Sequence, residues 1–124
     1  MRRPEAALQR TVVAWLRLLE NQRLLWFTHV GHGGGGRVRG AILKGLGLKT
    51  GVADLLLLFP GGRYGFLELK ARGGRQSPEQ REFQAIVERM GGLYAMARSF
   101  EVADRIVEEW LAPALAERAA RRVA

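Results

Sequence analysis

Two apolar segments held apart by only three residues constrain this chain more than any other feature. Residues 52–59 read Val-Ala-Asp-Leu-Leu-Leu-Leu-Phe, residues 63–70 read Arg-Tyr-Gly-Phe-Leu-Glu-Leu-Lys, and Pro60-Gly61-Gly62 stands between them. Short apolar runs bounded by strong turn residues predict two antiparallel strands of a hairpin. Strands this apolar need cover on their faces, so helices must pack on them. Asp54 and Glu68 are the exceptions inside these runs, and a carboxylate in apolar surroundings is costly without a partner.

The flanking sequence supplies that cover. Residues 5–20 place Leu8, Val12, Trp15, Leu16 and Leu19 at helical spacing, with Pro4 suited to a first turn. Residues 24–30 read as a buried strand. Residues 31–51 hold nine of the 16 glycines, which predicts a mobile loop with a short helix near residues 38–44. Ser77-Pro78-Glu79-Gln80 opens a helix with an N-cap, a proline at the first position and a capping-box glutamine, and Gly91-Gly92 ends it. Residues 93–97 form a short strand. Ser99 caps a last helix, which Pro113 is expected to interrupt near residue 111. The order is αβββαβα: an α/β fold with a central mixed sheet flanked by helices. It forms one domain over residues 1–124, with a core at about 5–98 and a C-terminal helix and tail at 99–124.

Composition removes several function classes. With no cysteine, disulfides, thiol catalysis and cysteine zinc sites are excluded. No apolar run reaches the roughly 20 residues of a membrane span, and the N-terminus lacks the apolar core of a signal peptide. A cytoplasmic protein without a membrane partner is expected. The formal net charge is +8, and the excess is local. Residues 30–75 carry eight Lys or Arg (Arg37, Arg39, Lys44, Lys49, Arg63, Lys70, Arg72, Arg75) against two acids, Asp54 and Glu68. Such a field suits a polyanion, with nucleic acid first. Arg37, Arg39, Lys44, Lys49, Arg72 and Arg75 are the candidate phosphate contacts.

Alternation along a strand puts Tyr64, Phe66, Glu68 and Lys70 on one face. The hairpin brings Asp54, near the start of its first strand, beside Glu68 and Lys70 at the end of its second. Two neighbouring carboxylates need a cation, and hard oxygen ligands favour Mg²⁺ or Mn²⁺. A nearby lysine can orient a water or stabilise developing negative charge. Glu5 falls on the apolar face of the first helix, with Gln9 one turn on. A metal shared with Asp54 and Glu68 would give Glu5 a partner.

Gly51-Val52-Ala53-Asp54, then Glu68-Leu69-Lys70, then Ser77-Pro78-Glu79-Gln80, resembles the PD-(D/E)xK nuclease superfamily, and within it the VRR-NUC (virus-type replication-repair nuclease) domain. The resemblance implies a restriction-endonuclease-like fold. It implies Asp54, Glu68 and the Leu69 backbone carbonyl as metal ligands, Lys70 as the residue that positions the attacking water, Glu5 as the helical acid and Gln80 as the helical glutamine. Ala53 stands where the motif has proline, which bears on strand entry and leaves the chemistry intact. Gln84 stands where a RecB-type motif has tyrosine. The implied activity is a Mg²⁺- or Mn²⁺-dependent endonuclease selective for branched DNA, similar to Holliday-junction resolvases, and a two-fold symmetric junction suits a homodimer. The alternatives are a flap- or duplex-cleaving nuclease with the same site, or a DNA-binding module without catalysis.

Two other patterns carry less. His29 and His32 lack a third ligand for zinc. Residues 31–36 fit G-x-G-x-x-G formally but open no convincing dinucleotide-binding helix, so no nucleotide cofactor is expected.

Overall fold

A computed structural model describes residues 3–30 and 36–123. The side chain of Arg37 falls outside the described part, as does all of His32.

The first helix, α1 (Arg3–Asn21), buries Val12 and Leu16 completely. Strand β1 (Trp26–His29) follows, then α2 (Gly36–Gly45), the hairpin β2 (Leu55–Phe59) and β3 (Arg63–Leu69), helix α3 (Pro78–Arg89), strand β4 (Leu93–Ala97) and α4 (Phe100–Val123). The sheet order is β1-β2-β3-β4. The first two pairings are antiparallel, with His29 opposite Leu55 and Leu55 opposite Leu67. β3 and β4 are parallel, with Glu68 opposite Met96, because α3 carries the chain across between them.

Alternation sorts the two faces of the sheet. Leu55, Leu57, Leu67 and Ala97 are fully buried on the face that packs with Val12 and Leu16 of α1 and Ala103 and Val107 of α4. Truncating one of these leucines to alanine should cost about 2–5 kcal/mol. Gly65 belongs to this face because a Cβ there would stand 2.7 Å from the Trp110 ring. The opposite face carries Phe66, Tyr94 and Glu68 beneath α3. Phe66 meets Phe83 of α3 edge-on at 4.8 Å.

Four expectations need correction. β1 is not a buried strand: it lies at the sheet edge, none of Trp26–His29 is buried, and Trp26 is 50% exposed. β2 begins at Leu55, not residue 52, so Asp54 sits just ahead of the strand. Its backbone carbonyl accepts from Val30 N at 2.8 Å, outside the regular ladder. The Gly-rich stretch contains a longer helix than expected, α2 over Gly36–Gly45. Pro113 does not interrupt α4, which runs through it to Val123. The Trp110 carbonyl, in the turn before the proline, receives Arg63 Nη1 at 2.7 Å. The carbonyl left without a helical donor by the missing proline N–H is that of Glu109, four residues back.

Candidate active site

The site forms where the hairpin's open end meets the turn after β3. Asp54 is clamped from both sides. Its carbonyl faces β1 and also takes a bond from His29 Nδ1 at 2.9 Å. Its carboxylate faces β3, where Oδ2 accepts the Leu69 backbone N–H at 2.7 Å. The N–H and C=O of one strand residue point to the same side, so the Leu69 carbonyl is directed toward Asp54 as well. Gly51 secures the approach: at φ +83°, a Cβ there would come within 2.5 Å of the Glu79 backbone, so only glycine lets this loop lie on the start of α3.

Glu68 is the unusual residue. It is 0% exposed, the only charged residue in the core among the described residues, and neither carboxylate oxygen has a hydrogen-bond partner. A buried carboxylate without partners is strongly disfavoured as an anion. Burial accordingly pushes its pKa up, against the opposing pull of the Tyr94 hydroxyl and of Lys70. Burial also pushes the Asp54 carboxyl up, opposed by the Leu69 N–H and by Lys70. The Asp54 and Glu5 charges also raise Glu68, and the Glu5 charge raises Asp54. One lysine, half-buried, therefore does not neutralise this pair, and the donor set of two carboxylates and a carbonyl fits a hard divalent cation.

Residues distant in sequence complete the surroundings. Gln76 Nε2 donates to Gln84 Oε1 at 2.9 Å and to the Tyr94 hydroxyl at 3.0 Å. The Tyr94 oxygen thus accepts from Gln76 and leaves its own proton for Glu68. The hydroxyl lies near enough to favour ionised Glu68, but the geometry falls short of a formed hydrogen bond. Burial and the Glu68 charge together push the Tyr94 phenol pKa upward. Arg98 Nη1 donates to the Ala71 carbonyl at 3.1 Å and to the Gly74 carbonyl, pinning the turn after Lys70, whose own N–H bonds Ala97 O at 3.0 Å. The sequence signal for Tyr94, Gln76 and Arg98 was a polar side chain beside a strand or its turn, too common to single them out.

The other expected residues are placed as follows. Glu5 Oε1 accepts from Ala71 N at 3.4 Å, which holds α1 to the same turn. Among the described residues no three acidic, histidine or cysteine side chains are close enough to hold an ion together, so Glu5 does not complete a cage with Asp54 and Glu68 in this arrangement. Gln80 forms the capping box of α3: its Oε1 accepts Ser77 N at 2.7 Å and its N–H bonds Ser77 Oγ at 3.1 Å. Arg39, Lys44, Lys49, Arg72 and Arg75 are all exposed. Lys44 lines a pocket of about 380 Å³ with Gly51, Val52 and Gln80.

Comparison with known families decides the affiliation. A family profile, the VRR-NUC domain, matches residues 2–101. The chain belongs to the VRR-NUC family. This is a nuclease family, and the mixed four-stranded sheet is its expected fold. A solved structure described as a VRR_NUC domain protein is similar at 17% identity, with a TM-score of 0.68 over 88% of each chain. Another, described as a VRR_NUC domain, is similar at 19% identity, with a TM-score of 0.59 over 85% of this chain and 95% of that one. At these identities the likeness concerns the fold. No curated protein matches. Among the described residues, no helix is long and apolar enough to cross a membrane.

Proposed function

We propose that this VRR-NUC chain is a Mg²⁺- or Mn²⁺-dependent DNA endonuclease acting on branched DNA, as Holliday-junction resolvases do. The observation that carries the reading is the Glu68 carboxylate, fully buried with both oxygens unpartnered beside Asp54. Such a group is hard to account for as structure and easy to account for as a cation ligand.

Asp54, Glu68 and the Leu69 carbonyl would hold the ion. When bound, it polarises a phosphoryl oxygen and makes a water more acidic. The chain's own groups do the rest. Lys70, on the Glu68 face of β3, orients the water in line with the phosphorus and offsets charge that grows on the phosphate. As the water's oxygen bonds to phosphorus, the bond to the leaving deoxyribose oxygen breaks. The water's proton passes to solvent and the leaving oxygen is protonated in turn. Glu5 steadies the turn that carries Lys70 and is the candidate additional ligand. Gln80 fixes the start of α3 against the loop before Asp54. Arg37, Arg39, Lys44, Lys49, Arg72 and Arg75 would contact phosphates on either side.

A symmetric junction suits a C2 dimer. On α2 and in the turn just past it, Val38, Ile42 and Leu46 are 76%, 59% and 80% exposed at four-residue spacing, an apolar stripe that a second copy could cover. The experiment is a cleavage panel with labelled four-way junction, flap and linear duplex. Junctions should be cut in preference to the others; equal cutting of linear duplex would remove the branched-DNA refinement and favour the duplex-cleaving alternative. Binding without cleavage in either metal would favour a DNA-binding module.

A further inference from the structure

The basic groups considered so far lie between residues 37 and 75, but a second set lies on α1. Arg3, Arg10 and Arg17 recur every seven residues along α1. Seven residues advance about 10 Å and return to nearly the same helix face, with a drift of about 20°. All three are exposed, and they lie opposite Val12 and Leu16, which are buried.

Nothing on the helix neutralises them. α1 has two acids, and both are turned into the protein. Glu5 Oε1 accepts from Ala71 N, and Glu20 Oε2 accepts from Phe27 N at 3.2 Å. Among the described residues the only ion pair is Arg121 with Glu117 on α4. The ridge is therefore a row of uncompensated guanidinium groups.

It also leads into the site. Arg10 and Arg17 line a shallow groove of about 480 Å³ with Ala6, Gln9 and Val13. The Gln9 side-chain amide lies 2.9 Å from His29 Nδ1, and the same nitrogen bonds the Asp54 carbonyl. The groove floor thus lies next to His29, whose Nδ1 proton goes to the Asp54 carbonyl.

We propose that the Arg3–Arg10–Arg17 ridge of α1 is a second nucleic-acid backbone track, along which the sugar-phosphate chain continues beyond the Asp54 site. It rests on the nuclease reading for its ligand and adds to it the path of the DNA. Arginine forks suit phosphate oxygens, and a row of them binds backbone without reading sequence.

The test measures binding alone, in EDTA so that no cleavage intervenes. Fluorescein-labelled four-way junction and duplex are titrated with the full chain across a salt series. Each phosphate contact contributes about 0.9 to the slope of log affinity against log salt on duplex. The double variant Arg10→Gln/Arg17→Gln should lower that slope by between 1 and 2 (about 0.9 per contact), with an unchanged melting temperature. Arg10→Lys/Arg17→Lys should keep most of the slope. Arg89→Gln/Arg105→Gln removes the same charge from exposed sites on α3 and α4 and should leave the slope near wild type. Equal slopes for the ridge variant and this control would overturn the proposal. Failure of the wild-type chain to bind DNA at any salt would instead overturn the nuclease reading and the ridge with it.

Discussion

The Asp54 carboxylate accepts the backbone N–H of Leu69 at 2.7 Å. Leu69 stands between Glu68 and Lys70, so this one bond sets the first acid in register with the second acid and the lysine. Alternation turns Glu68 and Lys70 to one face of β3, while the Leu69 N–H and carbonyl face β2. The three candidate site side chains are thereby fixed by two short pieces of backbone, the kind of precision a reaction centre needs.

The metal-free protein should be held back by its own Glu68. Its folded-state pKa is raised by burial, so its contribution to stability is present below the ordinary glutamate pKa and lost as pH rises through the folded value. Glu68→Gln should therefore raise metal-free stability at neutral pH by about 1–3 kcal/mol, the scale of an unsatisfied buried polar group. The advantage should disappear in acid. Mn²⁺ should raise the melting temperature of the wild type and leave Glu68→Gln unmoved. Differential scanning fluorimetry at pH 4 and pH 7, with and without Mn²⁺, reads all of these.

Tyr94 should act on the ion through Glu68. Tyr94→Phe removes the hydroxyl that Gln76 orients, and loss of such a supporting partner typically weakens metal affinity about 10- to 100-fold. Isothermal titration with Mn²⁺ should show this loss, with Gln76→Leu following in the same direction. Unchanged Mn²⁺ affinity in Tyr94→Phe would confine Tyr94 to packing.

Glu5→Gln should lower metal-dependent cleavage at least tenfold (about 1.4 kcal/mol in the barrier) while shifting stability by well under 1 kcal/mol, since an amide oxygen can still accept the weak bond from Ala71. Cleavage rates and thermal melts on the same preparations separate the two effects. An unchanged rate would leave Glu5 as a first-turn acid that favours the helix dipole.

Gln80 should prove separable from the chemistry by chemical type. Gln80→Ala removes half of the capping box and should cost about 0.5–2 kcal/mol, on the scale of a lost cap. Gln80→Glu can keep the reciprocal bond to Ser77 N and should retain wild-type stability. A cleavage defect in a fully stable Gln80→Glu would assign the side chain a role at the reacting phosphate.

Much of this site was legible in the sequence because it is built from local rules. The hairpin follows from two apolar runs and Pro60-Gly61-Gly62. Once it forms, Asp54 must lie beside Glu68 and Lys70. The Ser77–Gln80 capping box is equally local, and both of its halves form. What escaped depends on tertiary contact. Tyr94 reaches Glu68 only because β4 pairs in parallel with β3, and Gln76 reaches Tyr94 from the turn before α3. The start of β2 slipped from residue 52 to Leu55 because apolar character alone does not mark where ladder bonding begins. Pro113 looked like a stop, yet α4 runs through it to Val123. The total burial of Glu68 was not readable from a pattern that equally fits an exposed strand end.

The central claim is tested most directly by incubating end-labelled four-way DNA junction with wild-type protein and with Lys70→Ala, each in Mg²⁺, Mn²⁺ or EDTA. Cleavage by the wild type in Mg²⁺ or Mn²⁺, abolished by EDTA and reduced at least a hundredfold in Lys70→Ala (about 2.7 kcal/mol or more in the barrier), is the expected result. Cleavage that persists in EDTA, or at an undiminished rate in Lys70→Ala, would contradict it.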